Sequence, residues 1–99
     1  MDLHEFQKKS VELLKEIDSK HKGEHDTDTT IVHLLEELGE VSRQLFNQKI
    51  GRAELDKENL GEEISDCMIL LVQLAHNFDI DVENAVEAKL KKLQERFKI

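Results

Sequence analysis

The segment EEISDCMILLV, residues 62–72, sets acids at the head of an unbroken apolar run, and it limits what any fold around it can be. Counted at about 100° per residue, Glu63, Asp66, Cys67, Leu70 and Leu74 fall on one face of a helix, within roughly 100° of arc. Ile64, Met68, Leu71 and Phe78 line a second face, and Ile69 and Val72 cover a third. A helix that is apolar nearly all round has to be surrounded. Four short helices in one chain do not easily do so, and a second subunit is expected to help. The acids raise a separate question, because charged side chains are almost never fully buried unless they pair or bind a cation.

Three further helices are predicted around this one. Leu3 to Ile17 carries Leu3, Phe6, Val11, Leu13, Leu14 and Ile17 at a loose helical spacing, with Asp2 and Glu5 placed as a capping box. The polar stretch SKHKGEHDTDTT then interrupts with Gly23 and ends in N-cap candidates. The next helix holds Ile31, Leu34, Leu35, Leu38, Val41 and Leu45 on one stripe of about 120°, with Glu37 at its edge and Glu40 about 60° further round. The connector NQKIGRAELDKENLG becomes helical again around Asp56 to Leu60, and the apolar helix runs to about Phe78. Asp81 caps a last helix, with Val82, Ala85, Val86, Leu90, Leu93 and Phe97 as its inner positions.

With no proline and only four glycines there is little material for tight hairpins, and the chain reads as all-α, a single domain over residues 1–99. At this length one core is adequate but not generous, so self-association has much to add. A formal net charge of −8, with basic residues scattered among acids, argues against a nucleic-acid partner. The longest apolar run, Cys67 to Val72, is far short of a membrane span, and no secretory leader is recognisable. A lone cysteine excludes an internal disulfide, so the expected location is the cytoplasm.

Two pairs of acids stand three residues apart on helix faces, Glu37 with Glu40 and Glu63 with Asp66. Such neighbours repel by a few tenths of a kcal/mol when exposed and by far more when desolvated. The connector between them is long enough to lay their helices antiparallel, and a divalent cation would turn repulsion into coordination. Oxygen ligands without His or Cys favour Mg²⁺, or Mn²⁺, over zinc. With 22 acids in the chain some pairs at helical spacing arise on solvated faces by chance, as Glu83 with Glu87, four residues apart, illustrates. That reading is weaker for Glu63 and Asp66, whose face continues into Leu70 and Leu74. An EF-hand starting at Asp26 has Ile31 where Gly is needed, and a di-iron bundle would want Glu-x-x-His on two helices.

These residues resemble the MazG-like all-α nucleoside triphosphate pyrophosphohydrolases. The family writes E-x-x-E, a variable connector and E-x-x-D, here Glu37-Leu-Gly-Glu40 and Glu63-Ile-Ser-Asp66, in the settings LLEELGEV and EEISDCMILLVQLA. A D-capped turn and A-V-x-x-K follow, as in FDIDVENAVEAKL, so the likeness covers roughly residues 31 to 97. It implies a homodimer, or a dimer of dimers, of helical bundles in which Glu37, Glu40, Glu63 and Asp66 hold Mg²⁺. It also implies cleavage of a nucleoside triphosphate between the α and β phosphorus atoms, as nucleotide-pool house-cleaning. Glu36, nearly on the face of Glu40, is a candidate second-metal or water-orienting carboxylate. Lys89 matches the lysine of the deoxycytidine-triphosphatase-like members, and Lys92, Arg96 and Phe97 match the K-F-x-x-R-F ending of MazG proper. Any of these cations could contact phosphate.

Departures bear on the substrate. Leu93 and Arg96-Phe97-Lys98 replace the Asn and the Arg-Tyr-Pro of the deoxycytidine enzymes. There is no Trp or Tyr, leaving only Phe6, Phe46, Phe78, Phe97 or a His to stack on a base. His33 stands within reach of the acids, whereas His76 and Cys67 are assigned to packing. Two rival functions remain: hydrolysis of a phosphoribosyl-nucleotide such as phosphoribosyl-ATP, and a non-catalytic helical dimer that binds a cation or a protein partner.

Overall fold

The computed structural model describes residues 1–99 as four α-helices and no strand. They are α1 Leu3–His21, α2 Thr27–Lys49, α3 Lys57–Asn77 and α4 Val82–Phe97. Each begins at an aspartate whose carboxylate accepts a backbone N–H three residues on. Asp2 takes Glu5, Asp26 takes Thr29, Asp56 takes Asn59 and Asp81 takes Asn84. Such a cap satisfies a donor that the first turn leaves free and places negative charge at the positive end of the helix. The all-α expectation holds, with α1 one turn longer than its apolar period. Ser19, Lys20 and His21 contain no breaker, so helix continues until Lys22 turns left-handed at φ 54° and donates its N–H to Asp18 O.

α2 and α3 form a helical hairpin around Leu34, Cys67 and Leu70, with Val41 packed alongside. Leu34 meets Leu70 while Glu37, further along α2, meets Glu63, earlier on α3. The helices therefore run antiparallel. Gly51 lies in their connection at φ +76°, a region closed to most side chains. α1 packs across α3, and α4 packs on α1.

A single glutamine ties α1 to the turn between α3 and α4. Buried Gln7 donates its amide N–H to Val72 O at 3.2 Å and to Ile80 O at 2.9 Å, and its Oε1 accepts Val82 N–H at 3.0 Å. Nearby, His4 Nδ1 lies 2.9 Å from Asp81 Oδ1. At the other end of α1, His25 Nδ1 lies 2.7 Å from Asp18 Oδ2, and Asn77 on α3 donates to His25 O at 3.1 Å. A Cβ on Gly23 would come within 2.9 Å of the Asp18 carboxylate held there, so glycine fits that turn.

The apolar faces are less covered than the sequence suggests. Only Leu34, Cys67, Leu70 and Val72 are buried among apolar residues. Of the expected α2 stripe Ile31, Leu35, Leu38 and Leu45 are exposed, on α3 Ile64, Met68, Leu71 and Phe78 are, and α4 buries none of its inner positions. Four helices of this length expose both sides of a hairpin unless something lies on each, and α1 lies on one side only. His76, assigned to packing, is also exposed, because it faces outward at the last turn of α3. No helix is long and apolar enough to cross a membrane.

Two outcomes follow from the α1 contacts. Gln7→Leu removes three hydrogen bonds from a buried position and should lower stability by about 2–3 kcal/mol in urea unfolding. The second is a pH effect. Hydrogen bonding to Asp81, then the Asp81 charge, raises His4 above its ordinary 6.5, while the bonds from His4 and then Asn84 N–H lower Asp81 below 3.8. The His4 contribution is complete below 6.5 and is lost as pH rises through its raised folded value; that of Asp81 is complete above 3.8 and is lost on acidification. His4→Ala should therefore lower the melting temperature most between the two ordinary values, near about pH 5, and the difference from wild type should shrink as pH rises through the raised folded value of His4.

Candidate functional site

The packing of Leu34 on Cys67 and Leu70 decides where the acids go. Glu37 lies one turn beyond Leu34, and Glu63 and Asp66 lie one turn before Cys67 and Leu70, so the hairpin brings them to one spot. One carboxylate oxygen from each of Glu37, Glu63 and Asp66 lies within 4.8 Å of the others. Glu37 and Glu63 are half-buried and Asp66 is exposed, so the cluster opens to solvent on one side. Glu63 Oε2 is buried and has no hydrogen-bond partner. A buried carboxylate oxygen left without a donor is costly.

The electrostatics match this geometry. Close approach of the Glu37 carboxyl, then loss of solvent and the charges of Glu37 and Glu40, hold the Glu63 carboxyl above the ordinary carboxylate range, with Arg43 opposing. Two carboxyls pressed together this way repel when both are charged. Cys67 lies directly beneath. Burial pushes its thiol up first, and the charges of Glu37, Asp66 and Glu63 add to that. The neutral thiol is packing material, as expected, and not a nucleophile.

The other candidates sit at varying remove. Glu40 is half-buried and forms an ion pair with Arg43, one turn further along α2. The i, i+3 spacing of Glu40 and Arg43 is the sequence signal for that pair. Glu36 is exposed and turns toward a different cavity, beside His25, Asp28 and Thr29 near the start of α2. His33 Nε2 lies 3.5 Å from Glu37 Oε1, and its ring lies 5.7 Å from that of His25. Lys89, Lys92 and Arg96 are exposed on α4, with the Arg96 guanidinium 5.2 Å from the Phe97 ring. Because α4 packs on α1, the chain does not draw these cations into the Glu37–Glu63–Asp66 cluster.

Three oxygen donors from two rigid helices, one with an orphaned atom and one facing water, fit a hard divalent cation that keeps part of its hydration. Without a cation, Glu63→Gln should raise the melting temperature in EDTA at neutral pH, since it relieves like-charge contact. An unchanged or lower melting temperature would show that Glu63 is not under electrostatic strain.

The profile of the MazG nucleotide pyrophosphohydrolase domain matches residues 25–98. The uncharacterised protein YpjD of Bacillus subtilis (strain 168) is 35% identical over 71 residues, covering 69% of this chain and 64% of that protein. The chain thus spans slightly under two thirds of that relative's length. No solved structure matches. The matched region contains the α2–α3 hairpin and its three clustered carboxylates, and the chain belongs to the MazG nucleotide pyrophosphohydrolase domain family.

Proposed function

We propose that the protein is a Mg²⁺-dependent nucleoside triphosphate pyrophosphohydrolase, converting a (d)NTP to the (d)NMP and pyrophosphate, in the cytoplasm and as at least a dimer. The observation that carries this is the orphaned Glu63 Oε2 beside two further carboxylates within 4.8 Å. Glu37, Glu63 and Asp66 would hold the cation, and Glu40 joins them on giving up Arg43. A bound Mg²⁺ supplies charge neutralisation for the triphosphate and acidifies a water. Mn²⁺ has the same oxygen preference and is the natural substitute. The three carboxylates would fix where the phosphates sit, with the buried Cys67, Leu34 and Leu70 beneath keeping them rigid, and Glu36, which lines a different cavity, is the water-orienting candidate in this reading. Lys89, Lys92 and Arg96 are proposed as phosphate contacts supplied across a dimer.

Surface supports the dimer. The chain exposes 7770 Å² and has a radius of gyration of 16.1 Å. A compact monomer of 11.5 kDa would expose about 5,800 Å² with a radius of about 13 Å. The excess of roughly 2,000 Å² is the amount an obligate partner covers, and it coincides with exposed Leu35, Leu38, Ile64, Met68, Leu71 and Leu90. A second copy is the occupant that removes this exposure without needing another gene product. Light scattering should give at least twice the chain mass.

Activity is tested by pyrophosphate release from ribo-, deoxyribo- and modified nucleoside triphosphates and phosphoribosyl-ATP, with Mg²⁺ or EDTA. Wild type should release pyrophosphate only with the cation, and Glu63→Gln should fall by about two orders of magnitude, the scale of metal-based charge stabilisation. Release from phosphoribosyl-ATP alone would move the substrate to that nucleotide. Silence throughout, with Mg²⁺ still raising the melting temperature, would leave a cation-binding module.

A further inference from the structure

We propose that the cleft between α1 and the α2–α3 hairpin receives the nucleobase of the substrate, and that Phe6, Ser10 and Leu13 of α1 determine which bases enter. This rests on the reading of the cluster as a triphosphate site. The cleft is a cavity of about 550 Å³, walled mainly by apolar side chains of α1 and by Ile69 and Leu70 of α3. Asp66 lines it and also belongs to the carboxylate cluster, and His33, beside Glu37, lines it as well. A ligand with its phosphates at the cluster therefore has this cleft as its adjoining space.

The chemistry of the walls selects the base as occupant. Phosphates and sugar hydroxyls lose hydration in an apolar cleft without recovering it, whereas a base has two faces that gain from apolar and aromatic contact. Volume and lining match a small-molecule pocket, mostly apolar with a few polar groups. Of the four phenylalanines only Phe6 lines this cavity, while Phe46, Phe78 and Phe97 are 56%, 59% and 61% exposed. Ser10, only 6% exposed, is the one hydroxyl-bearing residue of the lining. Another cavity of about 540 Å³, near the start of α2, is lined by Asp18, Glu24, Asp28 and Glu36 together with His25 and His33, and contains none of the three clustered acids.

The family match covers residues 25–98 and includes the carboxylate hairpin, while α1, Leu3–His21, supplies the facing wall of the cleft. An apolar wall with few hydrogen-bonding groups discriminates by shape, and differences among bases should stay within about a hundredfold.

The test is calorimetric binding, with Mg²⁺, of α,β-methylene analogues of the four common nucleoside triphosphates and of inorganic tripolyphosphate. Wild type should bind its best nucleotide at least about tenfold tighter than tripolyphosphate, the size of one modest apolar contact. Leu13 is 54% exposed, so Leu13→Trp can fill the cleft, and Leu13→Gln can strip its wall, with little effect on folding. Either should weaken or reorder the nucleotides by about tenfold while leaving tripolyphosphate and Mg²⁺ affinities unchanged. Equal loss for nucleotides and tripolyphosphate, no loss for either, or a changed oligomeric state by light scattering would overturn the subsite and leave the functional reading standing. Failure of wild type to bind any triphosphate would overturn both.

Discussion

Leu34 packed on Cys67 and Leu70 brings Glu37 and Glu63 into a contact that their charges oppose. Nothing in the hairpin could be rearranged to separate them without opening that core. Turning α2 to move Glu37 away would expose Leu34, and burial of one such side chain is worth about 1.5–3 kcal/mol. The acids are thus held by hydrophobic packing in a place that only a proton or a cation makes comfortable. Preorganisation of this kind lets a site meet a divalent ion without spending binding energy on moving its ligands.

The remaining elements serve that hairpin in different ways. Gln7 and the Asp18–His25 pair fasten the two ends of α1, so that α1 stays laid across α3 and forms one wall of the cleft that Asp66 borders. α4 is fastened at its start, through Asp81 and Val82, and otherwise leaves its apolar residues uncovered. The same helices that build the acidic cluster on one side carry Leu35, Leu38, Ile64 and Leu71 exposed. Site construction and the uncovered apolar surface are consequences of one pattern, a helix pair apolar on more faces than a single chain can cover.

Much of this was legible in advance, and the limits have physical causes. The caps at Asp2 and Asp81, the all-α class and the meeting of Glu37, Glu63 and Asp66 follow from periodicity and spacing, which are local properties. Which apolar stripe is inside is not local. Leu34 and Leu35 are neighbours in the same stripe, yet one is buried and the other 63% exposed, because α3 lies against only one of them. Glu40 and Glu37 likewise share a spacing, but Arg43 captures Glu40, and only packing tells which acid is pressed against Glu63. Gln7 gave no signal at all, since a glutamine on α1 becomes important only when the α3–α4 turn arrives beside it.

The most direct measurement is electron paramagnetic resonance of Mn²⁺ titrated into the wild-type protein and into Asp66→Asn, which changes the exposed ligand and leaves the buried packing alone. Free Mn²⁺ signal should disappear as the ion fills the wild-type cluster, and the variant should leave it in solution. Equal uptake by both proteins, or uptake by neither, would contradict a cation held by Glu37, Glu63 and Asp66.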